Sequence, residues 1–195
     1  IWKIISFMNL IIFGPPGAGK GTQADFIVKK YDLFQLSTGE ILRNEIKNKT
    51  ELGIKIHSAI NEGSLVSDDI VKKAVEMFIS DERYKNKLIF DGYPRNLTQA
   101  KTLTELLGKY NQKIDLVLQL SVSLETIKKR ILERKSLEKR ADDSEKIAVK
   151  RYKTYEKSTE PIIEYYKKMN LLKMIDGERS IDQINKEISD IISFI

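Results

Sequence analysis

The run Gly14-Pro15-Pro16-Gly17-Ala18-Gly19-Lys20-Gly21-Thr22 has the composition and spacing for one chemical task, holding a polyphosphate. It meets the pattern G-x-x-x-x-G-K up to Lys20. Glycines let consecutive backbone N–H groups point inward at an anion, where side chains would block them. A helix that follows adds the positive end of its dipole. Lys20 supplies a mobile point charge for β- and γ-phosphates. Gly21 stands where a Ser or Thr would follow, and the hydroxyl arrives at Thr22. A second candidate is Asp91, which closes the apolar run Lys87-Leu88-Ile89-Phe90. Beside a phosphate loop, such a carboxylate can hold Mg²⁺, directly or through water.

Arginines occupy the remaining chemical positions. Asp91-Gly92-Tyr93-Pro94-Arg95 places one just after a strand, and Ser37-Thr38-Gly39-Glu40-Ile41-Leu42-Arg43 places another after a second strand. Arg130 and Arg134 share a face of one helix. Arg140 precedes Asp142 and Asp143, either of which can cap the helix that carries Arg151. A single arginine is most often a solvated surface group. Together these sit at strand ends, helix ends and the edge of a charged stretch, where bidentate, permanently charged guanidinium suits phosphate.

Such groups need a scaffold, and the chain alternates between two periods. Short apolar runs predict strands over Asn9–Phe13, Phe34–Leu36, Lys87–Asp91, Leu116–Ser121 and Leu172–Asp176. Helical spacing runs from Gln23 to Tyr31, directly after the glycine loop. Ile70, Val71, Ala74, Val75, Phe78 and Ile79 repeat on one helical face behind Ser67 as N-cap. Ile181, Ile184, Ile188 and Ile191 do so behind Ser180, with Gln183 at capping-box spacing. This alternation predicts an α/β fold, a parallel sheet covered by helices on both faces. Thr38 to Val66 carries two helical patterns and no strand, and Glu133 to Asp143 is charged without an apolar face. Both read as excursions able to close as lids.

Bulk properties narrow the class. A chain of 195 residues with 41% hydrophobic residues can bury the core of one domain. It has no cysteine, which excludes disulfides and thiolate zinc sites and fits a cytoplasmic protein. Ile1 to Phe13 is too short to span a bilayer and runs into the glycine loop without a cleavage signature. Met8 reads as the natural start, with residues 1–7 an N-terminal extension. The net charge of +6 comes from lysines spread along the chain. His57, the sole histidine, reads as a surface residue.

Gly14–Thr22, Ser37–Arg43, Asp91–Arg95 with Gln99, and Arg140-Ala141-Asp142-Asp143 together resemble the adenylate kinase family, in this order and from about Met8 to the C-terminus. The resemblance implies reversible transfer of a phosphoryl group from MgATP to AMP, giving two ADP, in adenine nucleotide homeostasis. It implies a P-loop NTPase-type three-layer α/β/α fold with a five-stranded parallel sheet. The core would be residues 8–36, 67–132 and 144–195, the AMP-binding insertion 37–66 and the lid 133–143. Gly17, Ala18, Gly19, Lys20, Gly21 and Thr22 would hold the ATP phosphates. Arg130 and Arg134 would reach the ATP side, with Arg179 in the stretch whose backbone meets the adenine. Thr38, Arg43, Ser64, Leu65, Val66, Gly92, Tyr93, Pro94, Arg95 and Gln99 would form the AMP pocket. Arg140 and Arg151, counted with the AMP-binding residues, would clamp the phosphates from the lid, and Lys20, Arg95, Arg134, Arg140 and Arg151 would carry the catalysis. Only five residues separate Arg134 from Arg140, which resembles the short-lid form. Glu40 stands where the family usually has Asp, and Tyr93 where Phe is common. The resemblance further implies a monomer that uses Mg²⁺ and no zinc, and binds neither nucleic acid nor membrane.

A UMP/CMP kinase uses much the same loop and lid, but Thr38 and Gln99 favour adenine. A nucleotide-triggered or nucleic-acid-binding protein should interleave exposed aromatics with its Lys and Arg, and the tyrosines here form no such platform.

Overall fold

The computed structural model describes residues 7–62, 64, 66–138 and 144–195, with the backbone alone at 136–138. Five strands form one sheet: β1 (Leu10–Phe13), β2 (Phe34–Ser37), β3 (Leu88–Asp91), β4 (Leu116–Ser121) and β5 (Leu172–Asp176). The order is β2-β3-β1-β4-β5 and every pairing is parallel, with Leu10 opposite both Ile89 and Leu116. Parallel neighbours require crossovers, and helices supply them: α1 (Lys20–Tyr31), α2 (Thr38–Lys47), α3 (Glu51–Asn61), α4 (Asp68–Ile79), α5 (Leu97–Lys109), α6 (Leu124–Glu138), α7 (Glu145–Lys168) and α8 (Ile181–Ile192).

Strand alternation sends successive side chains to opposite faces and so creates two cores. Leu10 and Ile12 of β1, Ile89 of β3 and Leu116, Leu118 and Leu120 of β4 pack against Ile27 of α1, Ile127 and Ile131 of α6 and Ile184 and Ile188 of α8. Ile11 and Phe13, Leu88 and Phe90, and Val117 face the other way. They meet Val75 of α4, Leu103 and Leu107 of α5, and Ile162 and Tyr166 of α7. The three-layer α/β/α expectation is met. The central strand β1 is buried at every position, as a parallel strand covered on both faces must be. Chain order reverses about β1, so a crevice opens at the carboxyl ends of β1, β3 and β4.

Ser67 is the expected N-cap of α4, while some strand limits and another cap differ from expectation: β2 runs on to Ser37 and β3 starts at Leu88. The first strand begins at Leu10, not Asn9. Asn9 is fully buried and its backbone N–H donates to Asp115 Oδ2 at 2.9 Å, while its side chain bonds Gln112, Lys113 and the Leu88 N–H. A polar residue tied by its side chain in this way closes the far end of the sheet rather than joining the ladder. Ser67 is the N-cap of α4, but its side chain makes no capping bond; Asp68 and Asp69 in the first turn favour the helix dipole instead. The cap of α7 is Ser144, whose hydroxyl accepts from Ile147 N, and not Asp142 or Asp143, which lie outside the described residues. At α8 the capping box of Ser180 and Gln183 is present. Helix α6 runs on to Glu138, well into the stretch set apart as a lid.

Candidate active site

The glycine loop fills the turn between β1 and α1. Gly19 is the N-cap of α1 with φ 92°, a left-handed conformation that a side chain would resist. Having no side chain, it also leaves the first N–H groups of α1 without a cap, ready for an anion. Lys20, Gly21 and Thr22 are the first turn of α1, so the helix starts earlier than the Gln23 of the spacing argument. Gly21 and Thr22 are exposed, whereas Ala18 is buried. Behind the loop, Arg130 of α6 donates to Ala18 O at 3.3 Å and to Gly177 O at 2.9 Å. It thus ties the loop to the turn after β5.

Lys20 is the electrostatic centre. Its ammonium donates to Gly14 O at 2.8 Å and Pro15 O at 3.1 Å. Burial lowers its pKa to about 8; Asp91 works against this, and Arg95, Arg134 and Arg151 add to it. These groups come from β3, the following loop, α6 and α7, so four separate stretches converge on one lysine. Asp91 is nearly buried and accepts from Gln35 Nε2 at 3.0 Å, which fixes its carboxylate at the end of β3. Arg95 reaches solvent in the cleft, yet the protein around it lowers its pKa, with Arg151 and Arg43 acting in the same direction and Asp91 opposing.

Beside this cluster lies a narrow cleft lined by Thr38, Leu42, Ile60, Ser64, Val66, Val71, Gly92, Arg95 and Gln99. Its walls are aliphatic and its edges polar, which suits a flat heteroaromatic ring with hydrogen-bonding edges. Gly92, at φ 77°, holds the bend after β3, and its carbonyl accepts from Thr38 Oγ1 at 2.9 Å and Arg95 Nε at 2.7 Å. A Cβ there would lie 3.1 Å from both partners. The Arg43 and Arg95 guanidiniums approach each other across Gly39. Tyr93 and Pro94 are buried behind the cleft, and burial pushes the Tyr93 phenol up. Gln99 is 3% exposed; its Oε1 accepts from Arg95 N at 2.7 Å and its Nε2 donates to Asp68 Oδ1 at 2.7 Å.

Other expected residues lie around these. Arg151 of α7 donates to Ile60 O at the end of α3 at 3.3 Å, and Lys150 donates to Ser64 Oγ at 3.3 Å. Arg179 follows β5, where its side chain is held by Asp176 and by Glu187 of α8. Arg140 and Leu65 lie outside the described residues. His57 is exposed on α3, as expected. Sequence reasoning missed Gln35, Asp68 and Asn96. Gln35 had a signal, a polar residue between Phe34 and Leu36 in an apolar run. Asp68 had none, because an acid in a first helical turn is explained by the dipole alone.

The family model described as adenylate kinase matches residues 12–171. A protein named adenylate kinase from Pelagibacter ubique is 43% identical over 211 residues, covering 95% of this chain and 99% of its own. One of the same name from Fusobacterium nucleatum is 39% identical, covering 95% and 98%. Another from Prochlorococcus marinus is 42% identical over 181 residues, covering 92% and 96%.

Proposed function

The chain belongs to the adenylate kinase family, and from that premise we propose how its residues divide the work. It is a nucleoside monophosphate kinase that moves a phosphoryl group between ATP and AMP, giving two ADP. The UMP/CMP alternative is not favoured, since the relatives carry the adenylate kinase name. What carries the division of labour is the convergence of Arg95, Arg134, Arg151 and Asp91 on Lys20.

The uncapped start of α1 and the loop from Gly17 to Thr22 take the β- and γ-phosphates of ATP. Lys20 leaves its loop carbonyls and follows the transferring group. Arg134 reaches the ATP side, and Arg130 holds the loop in register. In the aliphatic cleft, Thr38, Val66 and Gln99 take the adenine of AMP, and Arg43 and Arg95 hold its phosphate. Arg151 stands between the two sites, with Arg140 as its companion from the lid. No general base is needed, because the nucleophile is a phosphate oxygen already ionised near neutral pH. The barrier is repulsion between polyanions and charge spread over the transferring group, which fixed cations offset.

Phosphoryl transfer in this family is Mg²⁺-dependent, and when bound Mg²⁺ neutralises phosphate charge and orients the leaving group. Asp91 fits this role through water, since Mg²⁺ on a nucleotide takes few protein ligands. Among the described residues no cluster of three His, Cys, Asp or Glu could form a cage of its own.

The insertion at 37–66 and the lid at 133–143 would close over the nucleotides and exclude water. The contacts of Arg151 with Ile60 and Lys150 with Ser64 support the first closure. Among the described residues no helix is long and apolar enough to cross a membrane. A cytoplasmic monomer acting on free nucleotides accords with this reading. A coupled assay offering MgATP with AMP, CMP, UMP and GMP in turn tests it. AMP should give the highest kcat/KM, and equal turnover of CMP or UMP would overturn it.

A further inference from the structure

We infer that Asp68 is a specificity-determining residue: it locks the sense of the Gln99 amide, so that the base site accepts a 6-amino purine and rejects a 6-oxo purine. The inference rests on the reading above that Gln99 meets the purine of the acceptor nucleotide.

A primary amide has two ends of opposite character and nearly equal shape, so a free glutamine can turn over and serve either pattern. Gln99 cannot. Its Oε1 faces the backbone N–H of Arg95 at 2.7 Å, a group that only donates. Its Nε2 faces Asp68 Oδ1 at 2.7 Å, a carboxylate that only accepts. Turning the amide over would set N–H against N–H and oxygen against carboxylate in a site 3% exposed. Asp68 is itself held. Asn96 Nδ2 donates to its two oxygens at 3.1 and 3.3 Å, and Asn96 Oδ1 accepts the Gln99 N–H at 2.8 Å. The start of α4 is thereby fastened to the start of α5, with Gln99 between them.

Once the sense is fixed, one N–H and one lone pair of Gln99 remain for a ligand. That pair matches a ring-nitrogen acceptor beside an amino donor, as in adenine. Hypoxanthine and guanine offer a ring N–H beside a carbonyl, the inverse. Without Asp68 only the Arg95 N–H opposes a turned amide, and the inverse pattern becomes admissible. Asp68 touches no substrate atom in this arrangement and acts through Gln99.

AMP and IMP are the discriminating pair, because they differ at this edge alone. The ratio of kcat/KM for AMP to that for IMP should fall about tenfold in Asp68→Ala, as expected when one buried polar mismatch is relieved. The fall should lie in KM for the nucleotide, with KM for MgATP unmoved. Asp68→Asn supplies an amide that can turn over together with Gln99, so it should lower the ratio as Asp68→Ala does, whereas a carboxylate, which accepts at both oxygens, cannot. In a Gln99→Ala background, Asp68→Ala should change the ratio by less than about twofold, because the residues act as one unit. If Asp68→Ala does not fold, Asp68→Ser carries the same expectation, since its hydroxyl is polar but stops short of Gln99. A folded Asp68 variant with the wild-type ratio would overturn the inference. So would an undiminished effect in the Gln99→Ala background, or a wild-type ratio in Asp68→Asn. A wild-type enzyme that turns over AMP and IMP equally sinks this inference alone. One that turns over no AMP sinks the proposed function, and this inference with it.

Discussion

The ammonium of Lys20 lies 2.8 Å from the carbonyl oxygen of Gly14, so the cation of the phosphate loop is folded back on the loop itself. It holds two neutral acceptors there, the second being Pro15 O. A phosphate oxygen adds the opposite charge that a carbonyl lacks, so a bound nucleotide should draw the lysine out. Lys20→Met should therefore lower kcat by about 10³-fold or more, as expected when charge is removed from a transition state. The variant should remain folded by circular dichroism, since the lysine serves the ligand rather than the core. Near-normal turnover would remove Lys20 from the mechanism.

The same lysine makes stability depend on pH in a defined direction. Its pKa is about 8 in the folded protein against 10.5 for an ordinary lysine. Between these values the unfolded chain binds more protons, so this group's contribution to stability rises with pH. Below about 8 its full cost is present, and by about 10.5 it has gone. Lys20→Met lacks this dependence. Wild type should gain on the variant by about 1–2 kcal/mol between about pH 7 and about pH 10 in urea unfolding, after allowance for partial solvent contact. A gap that stays constant, or moves the other way, would mean the folded protein does not disfavour the ammonium.

Arg43 and Arg151 should separate kinetically. Arg43 meets Arg95 across Gly39, on the side proposed for AMP. Arg151 acts on both Lys20 and Arg95 and also donates to Ile60 O. Arg43→Ala should raise KM for AMP about tenfold or more and leave KM for MgATP unchanged, since it removes one ground-state contact. Arg151→Ala should lower kcat with both substrates saturating, because its charge lies where the transferring group passes. Steady-state kinetics with each substrate varied in turn decides this; equal loss of MgATP affinity in Arg43→Ala would break the two-site assignment.

Much of this was legible because the chemistry is local. Glycine loop and lysine are consecutive, the aspartate closes its own apolar run, and β4 and β5 keep their expected limits. Contacts between distant segments were not legible. Asp68 and Gln99 are 31 positions apart, and only the packing of α4 against α5 brings them together. Asn9 reads as strand until Asp115 takes its N–H. Asp142, Asp143 and Ser144 are all good capping residues, so composition could not choose the register that the backbone selects at Ser144. The role expected for Arg179 rests on its backbone, and nothing in the sequence signals that its side chain turns to Glu187.

Arg130 is the residue by which ATP affinity should be tunable without touching AMP. Its two donors span Ala18 O in the phosphate loop and Gly177 O after β5. The turn after β5 is fastened at two further points. Gly177 N donates to Ser121 O at 2.9 Å, and Glu178 accepts from Ser123 N and Thr126 Oγ1, bonds that hold its carboxyl below the usual range. The turn is therefore rigid, and Arg130 transmits that rigidity to the glycine loop. A lysine at this position keeps the charge but cannot present a planar fork to two carbonyls at once. Arg130→Lys should raise KM for MgATP about tenfold, leave KM for AMP within about twofold, and lower Tm by roughly 2–4 °C for a loss near 1 kcal/mol. Isothermal calorimetry with ATP alone, together with a thermal melt, measures both effects. Unchanged ATP affinity with a lowered Tm would make Arg130 a brace for the fold only, and unchanged values of both would show that the bridge contributes nothing in solution.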